Sequence, residues 1–92
     1  MTAENQKIVL SEHARMQAAR RGLSEDVVLG VARSPEQRLA VRPGREVRQS
    51  RVRTPAGSTL YLVRVVVDSG QDGDTVVTVY RTSKIDKYWS SP

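Results

Sequence analysis

The sequence predicts an α+β fold, with two N-terminal helices packed on one face of a three- to four-stranded antiparallel sheet. Three observations carry this. Apolar residues recur at helical spacing as far as Pro35 and at strand spacing from there to residue 82. Capping residues frame both helical stretches, and Pro-Gly or glycine-containing turns separate the strand stretches. One sheet face must then bury the helix stripes, which leaves the other for solvent or a ligand.

Residues 1–6 read as a disordered tail and 7–92 as a single α+β domain. Lys7 to Leu10 reads as a short strand leading into the first helix. Ser11 is a good N-cap, with Glu12 behind it at the positive end of the helix dipole. Gly22 ends the helix as a C′ glycine. Ser24 caps the second helix, and Glu25 and Asp26 fill its first turn. Leu23 and Val28 have the spacing of a hydrophobic staple. Val27, Val28, Val31 and Ala32 form an apolar stripe. Gly30 costs about 1 kcal/mol against alanine in mid-helix, which predicts close packing there. Pro35 ends the helix.

Four strand stretches follow. Arg38–Arg42 is the first, closed by a Pro43-Gly44 turn, and Arg45–Arg53 is the second. Thr54–Gly57 is the next turn. Thr59–Val67 has apolar residues on both faces and is therefore central. Asp68–Asp74 reads as an acidic hairpin loop. Val76–Thr82 is the last strand, with Val77 and Val79 on one face and Thr78, Tyr80 and Thr82 on the other. Ser83–Trp89 is a polar and aromatic tail, either a turn of helix or an extended edge.

Ninety-two residues make one small domain with one core. The net charge is +5, carried by twelve arginines against three lysines. Arginine is the better planar partner for phosphate, so the basic surface points to nucleic acid or an acidic protein. Solubility and an arginine-favouring codon bias account equally well for any single arginine. There is no cysteine, which excludes a disulfide, a thiolate nucleophile and a cysteine metal site and fits a reducing cytoplasm. The first six residues lack the apolar core of a signal peptide, and the longest apolar run, Val65-Val66-Val67, is too short to span a bilayer. Phenylalanine is absent, so the core must be mostly valine and leucine. The few aromatics, Tyr61, Tyr80, Tyr88 and Trp89, argue against a stacking platform for single-stranded bases. Asp68, Asp72 and Asp74 do not match a calcium loop and read as a solvated turn. No phosphate loop, dinucleotide fingerprint, nucleophile elbow or zinc spacing is present, so no cofactor or metal is expected.

The candidate chemistry begins at His13, the only histidine. On a helix, His13, Gln17, Arg20 and Arg21 fall on one side, an imidazole, an amide and two guanidiniums suited to a phosphodiester. The helix N-terminus disfavours a positive charge on the ring, and a neutral imidazole suits a general base. The alternative is a structural histidine, bonded to a backbone carbonyl or packed on the sheet. Arg20 and Arg21 precede the helix-ending glycine, where capping is a sufficient reason for them. Arg42, Arg45, Arg48, Arg51 and Arg53 form the densest charge run, either a nucleic-acid track or an edge strand protected against aggregation. On one strand Arg45, Arg51 and Arg53 share a face and Arg48 takes the other. Thr78, Tyr80 and Thr82, followed by Ser83 and Lys84, offer hydroxyls and an ammonium to phosphate oxygens, or simply reflect strand propensity.

The opening His13-Ala14 with Arg21-Gly22-Leu23-Ser24, and the closing Val76–Trp89, resemble domain-of-unknown-function family 4258. The resemblance runs from about Ile8 to Trp89. That family is similar to the RelE/ParE-type toxins and the wider barnase–colicin–RelE group of small ribonucleases. The resemblance implies two helices on a four-stranded antiparallel sheet and metal-independent RNA cleavage. Where family members often carry an arginine one turn after the histidine, this chain has Gln17, which bonds phosphate without neutralising it. That departure shifts the work to Arg20 and Arg21.

The expected function is therefore a toxin-like, metal-independent ribonuclease of a toxin–antitoxin type, located in the cytoplasm. His13 serves as base or acid, Arg21 and Lys84 as phosphate stabilisers, and Tyr80 as an acid or orienting group. Gln17, Arg20, Arg45, Arg48, Arg51 and Arg53 contact the nucleic acid. The alternative is a non-catalytic RNA- or protein-binding module of the same fold. The candidate partners are RNA, an antitoxin-like protein and a second copy of the chain, because a small domain with open sheet edges invites pairing.

Overall fold

The structure, a computed structural model, describes residues 7–53, 57 and 59–91. The expected tail at residues 1–6 and most of the turn expected at 54–57 lie outside them. The elements run in the order β1 (Ile8–Leu10), α1 (Glu12–Arg20), α2 (Glu25–Arg33), β2 (Gln37–Arg42), β3 (Arg45–Arg53), β4 (Leu60–Gly70), β5 (Gly73–Thr82) and a C-terminal turn of helix, α3 (Ile85–Tyr88).

Both helices begin and end on the residues that local chemistry selects. Ser11 accepts a hydrogen bond from the Ala14 amide, and Ser24 accepts one from the Val27 amide. Gly22 stands at φ +68°, in the left-handed region that glycine enters without a Cβ clash. There the Leu23 amide donates to the Ala18 carbonyl at 2.8 Å and the Gly22 amide to the Ala19 carbonyl at 3.1 Å, a Schellman ending. Leu23 then drops into the core beside Val28, as the staple spacing requires.

The sheet has five strands in the order β1-β5-β4-β3-β2 and is not closed into a barrel. β2 to β5 pair antiparallel, whereas β1 pairs parallel to β5. The expected three- to four-stranded antiparallel sheet is thus corrected to a mixed one, because the short stretch before Ser11 docks on β5. Gly73 makes that docking fit. A Cβ there would lie 2.3 Å from the Lys7 carbonyl oxygen, and its φ is +130°.

The helices cover one face of the sheet. Ala14, Ala18, Leu23, Val28, Val31 and Ala32 meet Val63, Val65 and Val67 of β4 and Val76 and Val79 of β5. Val28 and the five sheet valines are fully buried, which contributes about 1.5–3 kcal/mol apiece. Three local expectations change. The loop expected at Asp68–Asp74 shrinks to Gln71 and Asp72, with Asp68 and Asp74 inside strands. Val77 is the extra residue of a bulge opposite Val66 and Val67, so Val76 rather than Val77 shares the core face with Val79. Gly30 is exposed and a Cβ would meet nothing within 4 Å, so close packing is not its reason.

Candidate functional site on the outer sheet face

Alternation along β4 turns Leu62, Arg64 and Val66 away from the helices. The strand register places Gln37, Gln49, Arg64 and Tyr80 in one straight row across β2, β3, β4 and β5 on that outer face. Their side chains are joined end to end. Gln49 is fully buried, and its Nε2 donates to Gln37 Oε1 at 2.7 Å and to the Tyr88 carbonyl at 3.1 Å. Gln49 Oε1 accepts from Arg64 Nε at 2.8 Å, and Arg64 Nη1 donates to the Tyr80 hydroxyl. Every polar atom of the Gln49 amide therefore has an acceptor or donor, and this fixes both its orientation and the plane of the guanidinium beyond it.

The C-terminal segment lies back over this face. Gln37 clamps the Ser90 backbone at both ends, donating to its carbonyl at 2.7 Å and accepting from its amide at 3.1 Å. The Tyr88 ring stands 4.5 Å from the Arg64 guanidinium, the Tyr80 ring 5.4 Å from it, and the two rings meet edge-on. The tail is thus a turn of helix that covers the outer face, not an extended edge. Three of the four aromatics gather here after all. Their ring faces are taken up by Arg64 and, for Trp89, by the Arg51 guanidinium 4.2 Å away.

Charge pairing singles out Arg64. Arg15, Arg38, Arg45, Arg48 and Arg51 each contact a carboxylate within 4.0 Å. Among the described residues, Arg20, Arg21, Arg33, Arg42, Arg53, Arg64 and Arg81 do not, and of these Arg64 alone is not exposed. Its Nη2 has no acceptor among the described residues. The Tyr80 hydroxyl accepts from Arg64, so its own proton is left to donate outward. A half-buried cation with an open nitrogen beside an open hydroxyl is an arrangement that attracts an oxyanion. Sequence reasoning missed Arg64 because it sits inside the apolar stretch Leu60–Val67 and reads there as one polar interruption. The available signal was its alternation with Leu62 and Val66 on the face away from Val63 and Val65.

The residues expected to form the site are divided by the sheet. His13, Gln17, Arg20 and Arg21 belong to α1 and its cap in the helix layer, while Tyr80 is on the outer face and exposed Lys84 precedes α3. His13 is exposed and has no hydrogen bond to another described residue, so it is not held as a packed or carbonyl-bonded histidine. Gln17 has a structural task. Its Oε1 accepts from the Val79 amide at 2.9 Å, on the edge of β5 beyond the end of β1. Arg20 and Arg21 are exposed at the helix end, and the Arg21 amide is the helix C-cap.

The arginine run also changes meaning. β3 is flanked by β2 and β4, so it is not an edge strand. Arg45, Arg51 and Arg53 do share the outer face, and Arg48 turns inward. Arg48 is removed from the expected interface, being 5 % exposed and bonded to Asp74, Glu46 and the Ala32 carbonyl. Arg45 grips Asp68, with Nη2 to Oδ2 at 2.7 Å, and Arg51 grips Glu36, with Nη2 to Oε2 at 2.9 Å. Hydrogen bonding from the arginines holds both carboxyls below their ordinary range and raises both guanidiniums. Arg53 reaches the Gly57 carbonyl at 3.4 Å.

Among the described residues no cluster of three histidine, cysteine or acidic side chains can hold a metal. None of the described helices is long and apolar enough to cross a membrane. Comparison of the chain with protein-family models, curated proteins and solved structures found no match. Fold and site together define a small α+β protein that holds a half-buried guanidinium without a carboxylate partner among the described residues, beside a tyrosine hydroxyl, on the sheet face opposite its helices.

Proposed function

We propose that this chain is an RNA-binding module of RelE/ParE toxin-like type, which engages the RNA backbone through the outer sheet face. The observation that carries this reading is the half-buried Arg64, which has no carboxylate partner and keeps an open Nη2 beside the Tyr80 hydroxyl. In water-poor surroundings such a cation attracts a phosphate more strongly than an exposed one does. Arg53 on the same face, which has no carboxylate partner among the described residues, and Lys84 and Lys87 near its C-terminal cover add long-range attraction for a polyanion.

A second reading, metal-independent ribonuclease action, is favoured by the contact between Tyr80 and Arg64. It joins a proton donor for a leaving 5′-oxygen to a cation for the phosphorane. His13, in the helix layer, takes no part in that pair. The test is binding and cleavage of short RNAs by the full chain with EDTA present, for the parent, Tyr80→Phe and His13→Ala. Binding without cleavage supports the module. Cleavage that Tyr80→Phe abolishes and His13→Ala spares supports the second reading. Cleavage lost with His13→Ala returns the site to α1, and absence of binding at low salt overturns both.

A further inference from the structure

One cavity lies apart from the Arg64 row. It measures about 330 Å³ and is lined by Thr59, Tyr61, Arg81, Thr82 and Ser83, where β4 begins and β5 ends. The Arg81 guanidinium stands 5.0 Å over the Tyr61 ring, which restrains an otherwise exposed side chain. Arg81 has no ion pair among the described residues, and no carboxylate lines the cavity. The Thr82 hydroxyl accepts from the Lys84 amide at 3.0 Å, which pins the turn carrying Ser83 and leaves the hydroxyl proton to donate.

One restrained cation, four hydroxyl-bearing residues and no acid make a donor-rich pocket. Its complement is a small anion with several acceptor oxygens, which a phosphomonoester supplies and a lone carboxylate does not. The volume is at the small end for ligand sites and suits one nucleotide. Tyr61 and Arg81 share the helix-side face with Val63, whereas Thr82 shares the outer face with Tyr80, so the cavity sits at the end of the sheet and apart from Arg64.

We infer that this cavity is a phosphomonoester site that takes the phosphorylated end of a nucleotide or an RNA strand, with Arg81 as its charged anchor. The RNA arm of this inference rests on the RNA-binding reading, and the nucleotide arm does not.

The experiment titrates the full chain with adenosine 5′-monophosphate, with adenosine, and with one short RNA carrying either a 5′-phosphate or a 5′-hydroxyl. The nucleotide should bind and adenosine should not. The phosphorylated RNA should bind about tenfold tighter than its hydroxyl twin, the gain expected of one charge-assisted contact. Arg81→Gln should erase both differences with an unchanged melting temperature, since Arg81 is exposed. Arg64→Gln should weaken both RNAs and preserve their ratio. Equal affinity for both RNA ends, with no preference for the nucleotide over adenosine, overturns the cavity and leaves the RNA-binding reading standing. Nucleotide binding that depends on Arg81, with no RNA bound, supports the cavity and overturns that reading.

Discussion

Arg48 reaches across β4 to Asp74, with Nη2 2.9 Å from Oδ2 and the two residues 5 % and 2 % exposed. The same guanidinium holds the Ala32 carbonyl at 2.7 Å near the end of α2. One buried ion pair therefore ties β3, β5 and the second helix together. Asp74→Asn removes the buried one of the two carboxylates on Arg48 and leaves Glu46 in place, so it should cost about 2 kcal/mol, less than stranding the charge outright, read by urea unfolding. Replacing both, Arg48→Met with Asp74→Leu, should cost less than Asp74→Asn alone. A loss under about 1 kcal/mol for Asp74→Asn would mean the pair is not what orders this end of the sheet.

Gln17 completes the edge of β5 where β1 ends. Gln17→Ala leaves the Val79 amide without its acceptor and should destabilise by about 1–3 kcal/mol. RNA affinity should not change. Reduced affinity with intact stability would return Gln17 to the binding surface.

Two glycines should respond in opposite directions. Gly30→Ala meets no obstruction on an exposed helix face and should stabilise by about 1 kcal/mol. Gly73→Ala drives a methyl into the Lys7 carbonyl and should melt earlier, with β1 losing amide protection in hydrogen exchange.

Much of the scaffold was legible because its signals are local. Ser11, Gly22, Ser24 and the Leu23–Val28 pair act on neighbours in sequence, and the caps and staple fall where those residues place them. The span Arg45–Arg53 was legible for the same reason, lying between two turn signals. What escaped depends on partners far along the chain. Asp68 and Asp74 read as loop acids until Arg45 and Arg48 stand beside them. The β1 pairing depends on Gly73, some sixty residues away in sequence. Arg64 becomes a site only when Gln49, Tyr80 and Tyr88 converge on it from three other segments.

The paired carboxyls set an acid response. Glu36 and Asp68 hold their protons less tightly in the folded chain, because Arg51 and Arg45 donate to them. Their stabilisation is present above the ordinary carboxylate range near pH 4 and fades as pH falls through the lowered values. Melting temperature should therefore drop modestly from about pH 5 downward, since both pairs are solvent-screened. Arg51→Gln or Arg45→Gln should lower melting temperature at neutral pH and flatten that drop. An unchanged slope would show that these pairs contribute nothing.

The central claim is that Arg64 is the phosphate anchor of the outer face. Its most direct test is RNA affinity across a salt series for the parent, Arg64→Gln and Arg64→Lys, with unfolding curves for each. Arg64→Gln should bind about tenfold more weakly at low salt, with the slope of log affinity against log salt reduced by about one contact. Arg64→Lys keeps the charge and should retain the slope. Parent-like affinity and slope in a folded Arg64→Gln variant would contradict the account.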